Sequence, residues 1–541
     1  MTRSLFTGGR IFTGFEDGWA EAMLIEGEEL LYVGDNDTAV RHAGPDISAT
    51  DLAGRVVLPG FTDAHTHLVM MGDALGRVQL TDARSVDQIQ QRLRAARKAD
   101  PTATRLLGTG WLFDSIDGGL PTAAMIDAAV PDIPVYLDAN DYHSCWINTA
   151  AMAELGITAA TEDPLGGSIS RDQDGQPTGL LYETAAQQHA WAYVASVTTD
   201  SDRDQAVERM LSAYAEAGVT GAVDMALDEL GLAALQRAAM RRGGRLPLRV
   251  AAHWFIENTG DDAANLAQVQ RAAELSIIIR SPWLRVVGIK LVLDGVIDAC
   301  TAALSQPYSN GSSAELIWPV EALAPVVVAA DAADLQIALH AIGDRASTVA
   351  LDAIENAMQL NGERERRHRI EHLEYAAPGT AERMARLGVT ASMQPVHADP
   401  AIFDNWAAML GDERVERAFA WREYVDAGAL LAFSTDAPTA PYAALPNVYV
   451  AATRASALDA SFAPRDPAAA LTLTQALVHA TRDAAASVVG AENRGSLVAG
   501  NAADFVIING DPFEQGVDKL LSATVVRTVV AGESVYDAAV L

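Results

Sequence analysis

Two histidines spaced by one residue, His65 and His67, end an apolar run that begins at Val56. Alternate residues of a strand point to the same side, so both imidazoles can face one point. Two neutral imidazoles that converge at a strand end supply half of a transition-metal site. The pair alone does not establish a metal site, because two histidines with this spacing on a strand are about as often incidental as metal-binding.

Four further residues of metal-ligand type stand at the ends of other predicted strands: Lys290, His340, His372 and Asp436. Together with the histidine pair they predict a site for two ions. In this hypothesis His65, His67 and Asp436 hold the first ion, and His340 and His372 hold the second. Paired ions generate hydroxide near neutral pH and polarise a carbonyl, and Asp436 would shuttle the proton to the leaving group.

Lys290 is the unusual member of the set, because it lies among apolar residues and the chain has only three lysines. Burial of an ammonium lowers its pKa, which favours the neutral amine. A neutral amine can react with CO₂ to form a carbamate whose two oxygens bridge two cations, whereas arginine stays protonated. An ion pair with Asp294, or a side chain that reaches solvent, is the structural alternative.

These residues must be positioned by a regular scaffold, and the sequence between them alternates short apolar strands with Ala-rich helical segments. That alternation indicates a parallel sheet, and eight β-α repeats predict a closed α/β barrel, the (β/α)₈ or TIM barrel. The predicted helices include 203–217, 320–333 and 346–360. The predicted strands are 56–67, 218–225, 246–254, 284–293, 335–340, 368–372, 389–395 and 430–434.

Both ends of the chain read as short strands separated by glycine-containing turns, which predicts one small β-sandwich built from the two termini. Two independent caps are the alternative. The predicted bounds are 1–57 with 488–541 for the sandwich and 58–487 for the barrel. Residues 68–217 separate the first two barrel strands, and we expect them to form an insertion over the barrel mouth.

The chain resembles the amidohydrolase superfamily, in particular its family 3, which includes N-substituted formamide deformylases. The resemblance is carried by the segments 59–67 (PGFTDAHTH), 340–346 (HAIGDRA), 368–372 (HRIEH), 434–438 (STDAP) and 495–505 (GSLVAGNAADF), and by Lys290 with Asp294-Gly295. It implies zinc, two ions per subunit or one, with a CO₂-derived carbamate on Lys290. The ligand types alone would also accept manganese, cobalt or iron.

The segment 141–148 resembles one that this family places near the active site, so His143 is a candidate catalytic donor to a developing oxyanion. A structural histidine tied to Asp141 is an equal alternative. Candidate substrate contacts are Trp111, Trp146 and Tyr182, for which core packing is the alternative, and Gln394 and His397, which lie at or just after the end of the seventh predicted strand.

The composition excludes several classes of function. A net charge of −32 disfavours nucleic acid as a partner, and no secretory leader or long apolar run is evident, so we expect a cytoplasmic protein with no membrane partner. The two cysteines are too few for a disulfide framework. We expect a homo-oligomer, most simply a dimer, that binds a small amide-type molecule.

The sequence therefore predicts a metal-dependent hydrolase that cleaves a C–N bond, with an N-substituted formamide as the first candidate substrate. Hydrolysis of a cyclic amide, a carbamate or an ester by the same centre is the second reading. A non-catalytic acidic binding protein on a hydrolase scaffold is the third, and it is disfavoured because all six ligand positions are filled.

Overall fold

The computed structural model describes residues 2–116, 120–139, 144–164, 167–403 and 406–538. The chain divides into two compact units, Met1–Leu68 with Met210–Leu541, and Val69–Arg209. The second unit corresponds to the predicted insertion, with bounds that differ by one residue at its start and eight at its end. The predicted bounds between sandwich and barrel stay a prediction.

The first unit contains an eight-stranded parallel barrel, as predicted. Its strands are β1 (Phe61–Thr66), β2 (Val219–Leu227), β3 (Arg249–Phe255), β4 (Leu284–Val292), β5 (Gln336–Ala341), β6 (Arg369–His372), β7 (Thr390–Met393) and β8 (Leu431–Phe433). Each strand pairs with its neighbour in chain order, and every pairing is parallel. The barrel is nearly closed, and the prediction of the fold class is confirmed.

Helices alternate with these strands because the apolar stripe of each helix covers the outer face of the sheet. Asp228 and Asp261 cap the helices after β2 and β3 by accepting backbone N–H groups. The helix Asp200–Glu216 begins in the second unit and ends in the first. The other α-helices of the first unit are Asn36–Ala43, Glu229–Arg241, Asp262–Ile278, Val320–Ala332, Asp344–Asn361, Thr380–Leu387, Trp406–Leu410, Asp412–Val415, Trp421–Ala427, Ala444–Thr453, Leu473–Ala480, Arg482–Ala486 and Pro512–Gln515.

The first predicted strand is in fact two strands that separate at Gly60. Val56–Pro59 pairs with Arg10–Phe12 and with Phe505–Asn509, whereas Phe61–Thr66 enters the barrel. A Cβ at Gly60 would lie 2.2 Å from the Thr220 side chain, so only glycine fits at this crossing. The apolar character is continuous across the break, which is why the sequence alone does not reveal it.

Two sheets formed by both termini share one apolar core that includes Phe6, Met23, Val57, Phe505 and Val529, which confirms the predicted β-sandwich. The four-stranded sheet has the order Glu29–Gly34, Ala22–Glu26, Arg3–Thr7, Ala49–Asp51. The six-stranded sheet has the order Glu533–Asp537, Thr524–Val530, Phe505–Asn509, Val56–Pro59, Arg10–Phe12, Trp19–Ala20.

The second unit is built on a mixed six-stranded sheet. Its strands, in spatial order, are Gly167–Arg171, Pro177–Glu183, Ser144–Ile147, Val135–Ala139, Leu106–Trp111 and Val78–Gln79. Its helices are Leu68–Gly76, Val86–Ala99, Ala123–Asp127, Thr149–Leu155 and Ala192–Val197, with a π-helix at Ala186–Trp191.

Candidate metal centre

The six predicted ligands lie at the carboxyl ends of barrel strands, where (β/α)₈ enzymes collect their reactive groups. His65 is on β1 and His67 follows it, Lys290 is on β4, His340 on β5, His372 ends β6, and Asp436 follows β8. Since all eight strands run in the same direction, these side chains meet at one rim of the barrel.

The first predicted group is close enough to share one ion. Asp436 Oδ1 lies 3.1 Å from His67 Nε2 and 3.3 Å from His65 Nε2. Lys290 Nζ lies 3.4 Å from His65 Nε2. The donor atoms of His65, His67 and Asp436 all lie within 4.8 Å of one another.

The second predicted pair adjoins the first group. The ring centroids of His340 and His372 are 4.4 Å apart, and those of His372 and His65 are 4.8 Å apart. His340 Nε2 lies 3.3 Å from the carbonyl oxygen of Gly295 and 3.6 Å from Asp294 Oδ1. The structure therefore brings all six predicted residues into one connected cluster.

The donor set fits a cation. Asp436 Oδ1 is buried and accepts no well-aligned hydrogen bond, although two imidazole nitrogens face it. An unpaired buried carboxylate oxygen is costly unless a positive charge neutralises it. Two imidazoles and one carboxylate are a ligand set that zinc and other divalent transition metals accept.

Hydrogen bonds at the far side of two rings leave Nε2 free as a ligand. Glu371 Oε2 lies 2.7 Å from His65 Nδ1, and Arg369 holds that carboxylate. Gln394 Oε1 lies 2.9 Å from His372 Nδ1, while Gln394 Nε2 donates to Ser434. Each Nδ1 is thus the donor, which is the arrangement that outer partners impose on metal-binding histidines.

His340 and His372, which lie near Lys290, have lowered pKa values that favour their neutral forms. Burial, followed by repulsion from the Lys290 ammonium, lowers the pKa of His340 to about 3. Burial and the neighbouring His340 hold the pKa of His372 well below its usual range. A metal binds the neutral imidazole, so these shifts remove the competition from protons.

Lys290 is 2% exposed. Burial lowers its pKa to about 8, against the opposing attraction of Glu371 and Asp436. Lys290 and Asp294 do not form the alternative ion pair. The Asp294 carboxylate instead accepts the backbone N–H groups of Ala303, Ile342 and Gly343 at 2.9–3.0 Å. Lys290 therefore faces the histidines and forms no ion pair with Asp294.

His397 and Glu374 form an additional pair beside the centre. Glu374 Oε1 lies 3.0 Å from His397 Nδ1, and His397 Nε2 lies 3.7 Å from Asp436 Oδ2. The ring of His397 stacks on His372 at 6.1 Å. These contacts place His397 at the rim, where a substrate contact stays a prediction, whereas Gln394 is fully buried and orients His372.

Sequence reasoning gave no role to three buried carboxylates that support the centre, Asp63, Glu371 and Glu374, and named Asp294 only as a possible partner of Lys290 and as part of a motif. Asp63 joins the first and last strands, because it accepts hydrogen bonds from the Thr435 N–H at 3.0 Å and the Thr435 hydroxyl at 2.5 Å. The signal for Glu371 was its place beside His372 in a buried strand, where a carboxylate needs a partner.

Two residues of the centre have unusual backbone conformations. His372 has φ of +75° and Asp436 has φ of +60°, a region that residues other than glycine adopt rarely. Strain of this kind persists where surrounding contacts hold it, and it concentrates at functional sites. The Asp436 N–H donates to the His65 carbonyl at 2.8 Å and provides one such contact.

The remaining predicted residues belong to the second unit. Trp111 and Trp146 are fully buried in its core and donate to the carbonyls of Leu137 and Thr122. Tyr182 packs against the same core and stacks on Phe113. This burial favours the packing alternative, and substrate contact stays a prediction for all three. His143 lies outside the described residues.

Comparison with known proteins agrees with this architecture. A model described as "Amidohydrolase family" matches residues 48–536. The chain is 32% identical over 545 residues to Protein LONG AFTER FAR-RED 3 of Arabidopsis thaliana, covering 98% of this chain and 91% of the plant protein. It is 27% identical over 544 residues to the N-substituted formamide deformylase of Arthrobacter pascens, covering 96% and 95%.

A solved structure is similar along most of the chain. An uncharacterized metal-dependent hydrolase from Pyrococcus furiosus superposes with a TM-score of 0.76 at 28% identity, covering 94% of this chain and 100% of the other. Within the described residues, no helix is both long and apolar enough to cross a membrane.

Proposed function

The chain belongs to the amidohydrolase family, and from that premise we propose that it hydrolyses the C–N bond of an amide-type substrate, with an N-substituted formamide as the first candidate. At the coarser level it is a metal-dependent hydrolase. The observation that carries the proposal is the convergence of His65, His67 and Asp436 on one point beside Lys290, His340 and His372.

In this proposal His65, His67 and Asp436 would hold one divalent cation, His340 and His372 would hold a second, and a modified Lys290 would contribute to both. Zinc is the proposed metal, since imidazole and carboxylate donors suit it and the resemblance implies it. When bound, such cations lower the pKa of a water molecule and polarise the substrate carbonyl.

Lys290 would acquire its carbamate by reaction with CO₂, with the released proton passing to solvent. The neutral amine adds to CO₂, an N–C bond forms, and one proton leaves the nitrogen to give a carbamate with one negative charge. A pKa lowered to about 8 provides a substantial neutral fraction at mildly alkaline pH. The absence of an ion pair with Asp294 supports the same role, since a paired ammonium would resist the reaction.

Asp436 is the proposed proton carrier. Burial raises its pKa, but His65 and His67 outweigh that effect and hold the pKa well below the usual range, so the group is an anion. Its Oδ1 is free of hydrogen bonds and buried at the centre of the cluster. It can accept a proton from the attacking water and deliver it to the leaving nitrogen as the C–N bond breaks.

A comparison of Lys290→Ala with wild type tests the proposal, with Lys98→Ala as the control at a lysine exposed at the end of a surface helix. We expect Lys290→Ala to lose metal and at least about 100-fold in amide turnover, more than the loss expected for a residue that only orients a ligand. Lys98→Ala should retain both. Unchanged turnover in Lys290→Ala would remove the bridging role.

A substrate panel tests the reaction itself. N-substituted formamides, cyclic amides, carbamates and esters would be compared by kcat/KM with the zinc-loaded enzyme. The proposal expects the formamides to be hydrolysed fastest, and a higher kcat/KM for a cyclic amide, carbamate or ester would favour the alternative reading. Fewer than about one metal per subunit with no turnover of any substrate would favour a binding protein.

We also propose that the protein is cytoplasmic, that it forms a homo-oligomer and that its substrate is a small molecule. Light scattering coupled to size-exclusion chromatography would give the mass in solution, for which a dimer of the 57.2 kDa chain is expected. A monomer at micromolar concentration would contradict the oligomer.

A further inference from the structure

The end of the barrel opposite the metal centre contains a small cavity lined by three arginines, Arg249, Arg285 and Arg494. Arg249 starts β3 and Arg285 is the second residue of β4, so both stand at the amino ends of their strands. Arg494 belongs to the loop that follows the helix Arg482–Ala486. Nothing in the proposed hydrolysis uses this face.

Only one of the three guanidinium groups has a matching carboxylate. Arg249 Nε lies 2.8 Å from Asp504 Oδ2, and its Nη2 lies 3.3 Å from Asp504 Oδ1. Arg285 and Arg494 make no side-chain hydrogen bond or ion pair within the described part of the chain. Both side chains are only partly exposed, so they lose part of their hydration without an ion pair to a carboxylate of the described residues, which leaves a demand for negative charge.

The surroundings increase that demand. Burial, then mutual repulsion, lowers the pKa of Arg494 to about 10, and burial lowers that of Arg285. Glu492 attracts both arginines, but it is more than half exposed, accepts the N–H of Gly490 and lies 3.7 Å from Arg367. Apolar side chains including Val223, Val250 and Val488 complete the lining and lower the local dielectric constant.

The loop that contains Gly490 packs against the side chain of Arg285. Gly490 has φ of +69°, and a Cβ there would lie 2.7 Å from Arg285 Nη1. The positive φ favours glycine at this position, and the guanidinium of Arg285 packs close to it. The side chain of Arg285 is held against this loop with its donors available.

We propose that Arg285 and Arg494, with Arg249, form a binding site for one small inorganic oxyanion such as phosphate. Guanidinium groups present paired N–H donors that match the oxygens of a tetrahedral oxyanion. The enclosed cavity volume is about 20 Å³, on a scale where one water needs about 10–15 Å³, so an oxyanion would lie at the open mouth of the cavity, against the partly exposed Arg285 and Arg494.

Isothermal titration with inorganic phosphate at constant ionic strength tests the proposal on the zinc-loaded full chain. The variants are wild type, Arg285→Gln/Arg494→Gln and the control Arg271→Gln, which removes an exposed guanidinium paired with Glu229. We expect the double variant to lose one bound phosphate per chain or at least about tenfold in its affinity, and the control to keep both. Phosphate held by the metal centre would be common to all three proteins.

Two further measurements test the proposal even if the double variant misfolds. Crystals of the wild type soaked in selenate would be examined for an anomalous peak within hydrogen-bond distance of Arg285 and Arg494. Thermal unfolding would also be compared for Arg494→Gln alone, for which phosphate should raise the Tm less than for wild type. Equal phosphate binding in all variants, or no selenate peak in the cavity, would overturn the proposal.

Discussion

At the scale of single residues, the candidate centre contains groups that fix ring orientation as well as the proposed ligands. Glu371 holds His65 and Gln394 holds His372, each through Nδ1. A ring without such a partner can rotate or take the wrong tautomer, and metal affinity falls even though every ligand is present.

We therefore expect Gln394→Ala to lower metal affinity by about 10–100-fold, because the Nδ1–H of His372 would lose its acceptor. Competition with a fluorescent chelator would measure the metal dissociation constant. Gln359→Ala, at an exposed glutamine of a surface helix, is the matched control and should bind metal as wild type does. Equal affinity in the two variants would show that Gln394 does not orient the ligand.

The clustering of the proposed ligands was predictable from sequence because rare residue types recur at predicted strand ends, whereas their role as ligands stays a prediction. The supporting residues were not predictable, since buried carboxylates such as Asp63 and Glu371 are identified only by the partner they meet across the barrel. Gln394 illustrates the same limit. Its position after β7 suggested a substrate contact, whereas its side chain is fully buried against His372 and Ser434.

At the scale of elements, all eight barrel strands were predictable because apolar runs of strand length alternate with helical segments. Their bounds shift by a few residues, and the run that begins at Val56 divides at Gly60 between two sheets. That division depends on the contact with Thr220, a residue about 160 positions away, and therefore has no local signal.

Glycine at position 288 is required by the close pairing of β4 and β5. A Cβ there would lie 1.9 Å from the carbonyl oxygen of Gln336, which is backbone and cannot move aside cheaply. We expect Gly288→Ala to destabilise the protein by about 1–3 kcal/mol or more. Gly221→Ala on β2, whose Cβ would have its closest contact with the Thr62 hydroxyl at 3.1 Å, should lower the Tm by less. A Tm equal to that of wild type in Gly288→Ala would contradict this account.

Asp331 connects the helix Val320–Ala332 to the segment that leads into β6. Its carboxylate lies 2.7 Å from Arg366 Nε and 2.8 Å from His368 Nε2. Burial raises its pKa, but hydrogen bonds from His368 and Arg366 dominate and hold the pKa far below the usual range. The charged form is therefore favoured by folding.

Because folding lowers the pKa of Asp331, its contribution to stability is present above the unfolded pKa of about 4 and is lost as the pH falls below it. We expect Asp331→Asn to lower the free energy of unfolding by roughly 3–5 kcal/mol at pH 7, since it leaves buried cations unpaired. The difference from wild type should shrink below about pH 4. Asp352→Asn, at an exposed aspartate, is the control, and a difference that is constant with pH would contradict the assignment.

At the scale of the whole molecule, the six proposed ligands come from five strands or strand ends that span the barrel from its first strand to its last. A cation that binds only when these strands are assembled adds its binding free energy to the stability of the unit that contains them. The net negative charge of the chain also favours retention of bound cations.

Metal removal should therefore affect folding as well as activity. We expect a chelator to abolish turnover and to lower the Tm measured by calorimetry, and added zinc to restore both. At a free metal concentration about 100 times the dissociation constant, the stabilisation is about 2.7 kcal/mol. His67→Ala, which removes a ligand that is one-fifth exposed, should start with a lower Tm and respond less to chelator. A Tm that the chelator leaves unchanged in wild type, with metal loss confirmed by elemental analysis, would show that the barrel closes without the metal and that the cations serve the reaction alone.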